Sequence, residues 1–467
     1  MHLWIYNKMQ LVNSIITKKN WQNKITNKEI VKKWYAELEK QNIKKNYLDL
    51  VLYLLKDYKR IEKDNMKQNS DPTNCHDYDW IFELGISPDE ISIEKECECK
   101  CKICIGDEET SDSLSNTDIQ CLCTEDKLIS KRKAFLMKYV FADDLIDDST
   151  KASFIKKINH LEKNVPVDYH PGSNDQIINL VHPSLFCYIK GVSEKRKEMN
   201  KNILFQWLPS NFVVKNDQVK INSYINNLDE VKYKNLYSDI AKIFAKFVPG
   251  FNRLLKTLYQ NKKIATFKKL NHCQVIVKLA NTVLTPDSPV FKGGSWHLEG
   301  LPHEKIIATG IYYYKMKNIT TNYLNFRTTI DDETNINYPQ NCSEYVMKHY
   351  GFDVDDKSDD YVQSTVVNLG KFETKKNTCL IFPNFLQHRV SEFELIDKTK
   401  KGYRKILVFF LIDPSTKILS TGDVKPQQNL MTLGDAQNYR ELLMFQRKYN
   451  ITDQNMFYER KWSLCEH

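Results

Sequence analysis

The chain has 467 residues, 41% hydrophobic and 27% charged, with 68 basic against 59 acidic residues and a formal net charge of +9. This excludes a collagenous or wholly disordered chain and implies two or three structural units, one of which can be a β-rich domain of over ~200 residues. The positive excess is spread along the whole chain and is only weak grounds for nucleic-acid binding. No apolar run nears the ~20 residues of a membrane span.

In chain order, Ile25, Ile30, Val31, Trp34 and Leu38, then Leu48, Val51, Leu52 and Leu55, recur at helical spacing and predict two amphipathic helices. Before them, "MHLWIYNKMQ" lacks a basic n-region and a cleavage site, so the chain reads as soluble and intracellular, cytoplasmic or nuclear. Residues 60–130 turn polar and acidic. They enclose a Cys-rich insert (about 95–125) with half of the chain's 12 cysteines, expected to be reduced thiols or metal ligands. Within it Cys101, Cys104, Cys121 and Cys123 form a Cys-x-x-Cys and a Cys-x-Cys able to offer four thiolates to one zinc; an unliganded insertion is the alternative.

"STKASFIKKINHLEKN" predicts a helix capped by Ser149 or Thr150. Beyond "DYHPGSN" the texture changes to short β-branched and aromatic segments bounded by turn residues: "CQVIVKLANTVL", "KIIATGIYYYKM", "NYLNFRTT", "STVVNLG", "TCLIFP" and "RKILVFFLIDP". Residues 229–255 interrupt them with helical periodicity, and a helix closes the chain around "DAQNYRELLMFQRKYN". The division expected is a mainly helical region over 1–165, a β domain over 166–430 and a helical tail over 431–467, an α+β chain.

In "GGSWHLEG" His297 and Glu299 stand two apart, so on a strand both would project from one face. A third ligand from another strand would complete a metal site. His388, just after "TCLIFP", fits, because two histidines and one carboxylate form the facial triad that leaves positions open on iron(II). Arg404 opens the most hydrophobic strand of the chain, and its planar fork suits the distal carboxylate of a dicarboxylic acid. Arg327 and Lys278, on other strands, are rivals for that anchor.

His-x-Glu, a distal His and Gly-x-Arg on the last strand resemble the pattern of the iron(II)/2-oxoglutarate-dependent dioxygenases, whose usual carboxylate is Asp where this chain has Glu. A wider set of blocks, from "FADDLI" and "LEKNVPVDYHPGSNDQIINLVHPSL" through "FQWLPS" to "GYRKILVFFLIDP" and "VKPQQ", resembles an uncharacterised, mainly fungal domain-of-unknown-function family. The resemblance implies a double-stranded β-helix (jelly-roll, cupin-like) core with a helical N-terminal region and inserted helices. It also implies Fe(II) and 2-oxoglutarate as cofactors, and a hydroxylase acting on an unknown substrate.

Two other readings are kept. One is a cupin-like metal enzyme without 2-oxoglutarate, and the other a non-enzymatic, zinc-stabilised binding protein. Gly300 and Pro302 break any zinc helix through "HLEGLPHE", so His303 reads as a loop residue. His170 and His182, beside prolines, read as turn or packing histidines.

Overall fold

The computed structural model describes residues 15, 18, 20–40, 48–49, 51–53, 55–56, 141–193, 203–261, 269–329, 362–364, 366–459 and 461–463. The Cys-rich insert, with Cys101, Cys104, Cys121 and Cys123, lies outside them. Five helices matter here: α1 (Trp21–Lys24), α2 (Lys28–Lys40), α3 (Asp148–Asn164), α4 (Lys234–Asn261) and α5 (Leu433–Tyr458). None of the described helices is long and apolar enough to cross a membrane.

The β structure is antiparallel. Apart from short two-stranded pairings, its strands are β1 (Phe141–Asp143), β2 (Ile177–Val181), β3 (Ser210–Lys215), β4 (Gln218–Ile221), β5 (His272–Leu284), β6 (Ile306–Lys317), β7 (Asn322–Thr329), β8 (Val366–Thr374), β9 (Thr378–Pro383), β10 (Gln387–Val390) and β11 (Gly402–Ile412). The main sheet runs β1-β9-β6-β11-β5-β3-β4, with β2 also on β5, and a smaller sheet runs β8-β7-β10. From β6 to β11 the chain passes back and forth between the two sheets, with β6, β9 and β11 in the main sheet and β7, β8 and β10 in the smaller one, the winding of a jelly roll. The fold is therefore α+β with a double-stranded β-helix core.

Register decides which side chains face the interior. Directly opposed residues share a face. Val408 on β11 opposes Lys278 on β5 and Ile311 on β6, while Arg404 opposes Thr282. Phe382, opposite Thr309, meets Phe326 of the smaller sheet at 5.0 Å between ring centroids, so this face looks across the barrel. The other face packs on α4: Phe409 lies 5.1 Å from Phe244 and 5.4 Å from Phe247. Glycine is required at Gly310, where a Cβ would lie 2.8 Å from Phe247 and 2.9 Å from Phe251.

The helix over 229–255 expected from periodicity begins later, at Lys234, and runs to Asn261. The α3 cap is Asp147, one turn edge earlier than Ser149 or Thr150, because its carboxylate accepts from the Thr150 amide at 2.9 Å. Helix α5 starts with a Thr432–Asp435 capping box and packs Tyr439, Leu442 and Leu443 into the barrel's own core.

Candidate metal centre

The stretch carrying His297 and Glu299 is not a regular strand. Glycines punctuate it, and His297 makes one isolated bridge, to His388 of β10. The two backbones exchange hydrogen bonds, His297 N to His388 O at 3.3 Å and His388 N to His297 O at 3.1 Å. That pairing sets the two imidazoles side by side, 4.5 Å between ring centroids. Gly293 lets the stretch run close along β10: its φ is +91°, and a Cβ there would sit 2.9 Å from the Val390 carbonyl oxygen.

Because no strand ladder holds Glu299, side chains do so. Asn384 accepts from the Glu299 amide at 2.9 Å and donates to the Glu299 carbonyl at 2.9 Å. Gln454 of α5 accepts from the Leu298 amide at 3.2 Å. Gln454 lies far along the chain and belongs to no motif; Asn384 stands just before His388 in "FPNFLQHRV", but nothing in the sequence says that its side chain turns to Glu299.

The donor atoms of His297, Glu299 and His388 all lie within 4.8 Å of one another, the only such group of three or more His, Cys, Asp or Glu among the described residues. Glu299 Oε1 is 3.7 Å from His297 Nε2 and 3.5 Å from His388 Nε2. Both separations fall inside the ~4.2 Å maximum that two metal bonds of ~2.1 Å permit. His297 Nδ1 faces the Ser295 carbonyl at 2.8 Å and His388 Nδ1 the Leu386 carbonyl at 3.3 Å. A carbonyl only accepts, so each Nδ1 carries a proton; each Nε2 lies toward Glu299, where it donates to the carboxylate while protonated and can offer its lone pair to a metal once deprotonated. Two neutral imidazoles and a carboxylate are the donor set that suits iron(II).

Electrostatics agree with an ionised Glu299. Burial works to raise its pKa, yet the His297 and His388 hydrogen bonds and the Lys278 charge hold it well below the usual carboxylate range. Burial lowers the His388 pKa, whereas at His297 the Glu299 partner outweighs burial and the shift is upward.

The three basic residues differ in placement. Arg404, 4% exposed, faces the interior with its guanidinium 5.1 Å from the Tyr313 ring centroid; its Nε has no hydrogen-bond partner and no carboxylate pairs with it among the described residues. Burial raises the Tyr313 pKa and the Arg404 charge opposes it. Lys278 also faces the interior and interacts electrostatically with Glu299. Arg327 does not: it follows Phe326, whose ring packs near His388, and so projects from the opposite face. There it donates to Gln387 at 2.8 Å and pairs with Glu459 at 2.7 Å, so a carboxylate of the chain already meets its charge.

His303 Nε2 lies 2.9 Å from the Phe205 carbonyl, away from the triad. His170 and His182 pack 5.1 Å apart, both with pKa values depressed by burial, His170 to about 4. Behind them are two buried ion pairs, Arg440 with Asp168 and Arg447 with Glu304.

Similar solved structures include an Fe(II)/(alpha)ketoglutarate-dependent dioxygenase, TqaL, at 12% identity and a TM-score of 0.31 over 65% of this chain and 93% of that one. Another is a 2OG-Fe(II) oxygenase family oxidoreductase from Burkholderia pseudomallei, at 9% identity and a TM-score of 0.27 over 61% of this chain and 90% of that one. A prolyl hydroxylase from Trichoplax adhaerens, in complex with a hypoxia inducible factor peptide fragment, matches at 10% identity and a TM-score of 0.24 over 62% of this chain and 94% of that one. Likeness at this level says nothing about activity. No curated protein matches the chain. Residues 124–266 and 259–433 match one protein family, covering well over half of the chain, and the protein therefore belongs to the family described as "Protein of unknown function (DUF4246)".

Proposed function

We propose that this protein is an iron(II)- and 2-oxoglutarate-dependent oxygenase, with His297, Glu299 and His388 as metal ligands and Arg404 as the anchor for the co-substrate's distal carboxylate. The observation that carries the reading is the convergence of two imidazole nitrogens and one carboxylate within 4.8 Å. When bound, iron(II) and 2-oxoglutarate supply an oxidation by oxygen in which the co-substrate becomes succinate and carbon dioxide.

The chain's own work is binding, orientation and exclusion of water. The Ser295 and Leu386 carbonyls hold a proton on each Nδ1, which leaves the Nε2 atoms as the ones that would bind the metal. Phe382, edge-on to His388 at 4.8 Å, shields its buried side. Arg404 is a buried guanidinium lacking an anionic partner, a costly arrangement that a bound carboxylate would relieve through paired N–H donors. Under this reading residues 166–430 supply the catalytic barrel.

The test is succinate release by full-length protein loaded anaerobically with iron(II), then given 2-oxoglutarate and oxygen without further substrate. Slow release above the metal-free background is expected, lost in His297→Ala and His388→Ala. Stoichiometric iron binding with no succinate formed would reject the 2-oxoglutarate assignment.

A further inference from the structure

Lys278 is left over once the triad and Arg404 have been assigned. Its ammonium makes no hydrogen bond and no ion pair among the described residues, although it sits in the barrel wall opposite Val408. The other cations nearby are spent: Arg440 on Asp168, Arg447 on Glu304. Arg404 opposes Thr282, four residues further along β5, so the two backbones are roughly 13 Å apart at ~3.3 Å per residue. The two cations therefore enter the barrel at separate positions along its wall.

We infer that Lys278 is the docking point for an anionic group of the substrate, a carboxylate or a phosphoryl group, held beside Glu299 at the end of the site away from Arg404. The inference takes the co-substrate assignment of Arg404 as its premise. Charge balance supports it. With a divalent metal and a dianionic co-substrate in place, Glu299, Arg404 and Lys278 leave a single positive charge in the interior, and one substrate anion cancels it. His170 and His182 line the same neighbourhood, and the Lys278 charge is among the causes of their low proton affinity. They stay neutral, so they add polarity without competing for the anion. Burial also lowers the Lys278 pKa, and Glu299 opposes that shift. An arriving anion would act in the same sense as Glu299.

The experiment is calorimetric titration of inorganic phosphate and, separately, of acetate into full-length protein loaded with manganese(II) and N-oxalylglycine, a non-reacting analogue of 2-oxoglutarate. Saturable binding of at least one anion is expected, weakened ten-fold or more in Lys278→Met and retained in Lys278→Arg. Unchanged N-oxalylglycine affinity in Lys278→Met serves as the fold control. The preferred anion assigns the group as phosphoryl or carboxylate. Anion binding that is absent from the wild type, or equal in Lys278→Met, overturns the inference. So does a parallel loss of N-oxalylglycine affinity, which would place Lys278 in the co-substrate site. If the wild type does not bind N-oxalylglycine at all, the oxygenase reading fails, and the same titration into the metal-free protein still decides whether Lys278 holds an anion.

Discussion

At the scale of residues, Arg404 and Arg327 make a controlled pair. Both are buried arginines on strands of the barrel, at 4% and 7% exposure, but one faces the interior without a carboxylate and the other is tied to Glu459. Arg404→Leu should weaken 2-oxoglutarate binding by about 2–5 kcal/mol, thirty-fold or more, and leave metal content intact. Arg327→Leu should leave co-substrate affinity within two-fold. Titrating N-oxalylglycine into both variants checks this, and equal losses would move the anchor. His170 gives a second prediction at this scale. Its folded pKa is about 4 against an ordinary 6.5, so between those values the unfolded chain binds more protons. Its contribution is complete above pH ~6.5 and is lost as pH falls toward 4, on the order of 2–3 kcal/mol. The urea midpoint of the wild type should therefore fall more between pH 7 and pH 5 than that of His170→Gln. Identical falls would show that His170 is not the group responsible.

At the scale of elements, α5 reaches the candidate metal centre through both stretches that carry the proposed ligands. Gln454 holds the Leu298 amide between His297 and Glu299, Asn455 accepts from Gln387 next to His388 at 3.0 Å, and Tyr458 donates to the Phe385 carbonyl. Gln454→Ala leaves a buried amide unpaired at a cost of about 1–3 kcal/mol. We expect roughly ten-fold weaker metal binding with the fold retained, since losing a group that orients a metal ligand typically weakens binding about ten- to hundred-fold. Metal titration monitored beside the melting temperature decides it. An unchanged metal affinity would make the contact a brace for the fold alone. Sequence reading had no route to this clamp. Periodicity finds the helix around 433–458, but a contact between Gln454 and Leu298 spans too much chain for any local pattern to record.

At the scale of the whole molecule, the strands of the barrel were legible because β-branched and aromatic runs between turn residues have one economical solution, and every such run quoted from the sequence contains or overlaps a strand. Their facing was less legible. β11 is buried on nearly all of its length, so it shows no hydrophobic alternation from which to phase Arg404, and neither β5 nor β7 reveals in sequence that Lys278 points in while Arg327 points out. The expected unit of 166–430 followed by a tail also reflects what local composition can express. In the folded chain α5 shares the barrel's core and supplies Arg440 to Asp168 and Arg447 to Glu304. A chain ending at residue 430 would lose both arginine partners and bare the core surface that Tyr439, Leu442 and Leu443 cover, losses of several kcal/mol against a typical total stability of about 5–15 kcal/mol. Such a chain should show no cooperative urea transition and no near-ultraviolet circular dichroism, and Arg447→Met with Glu304→Gln should be milder than Arg447→Met alone, because the double change removes the stranded charge. Cooperative unfolding and metal binding by the 1–430 chain would establish the barrel as an independent unit and reduce α5 to an accessory.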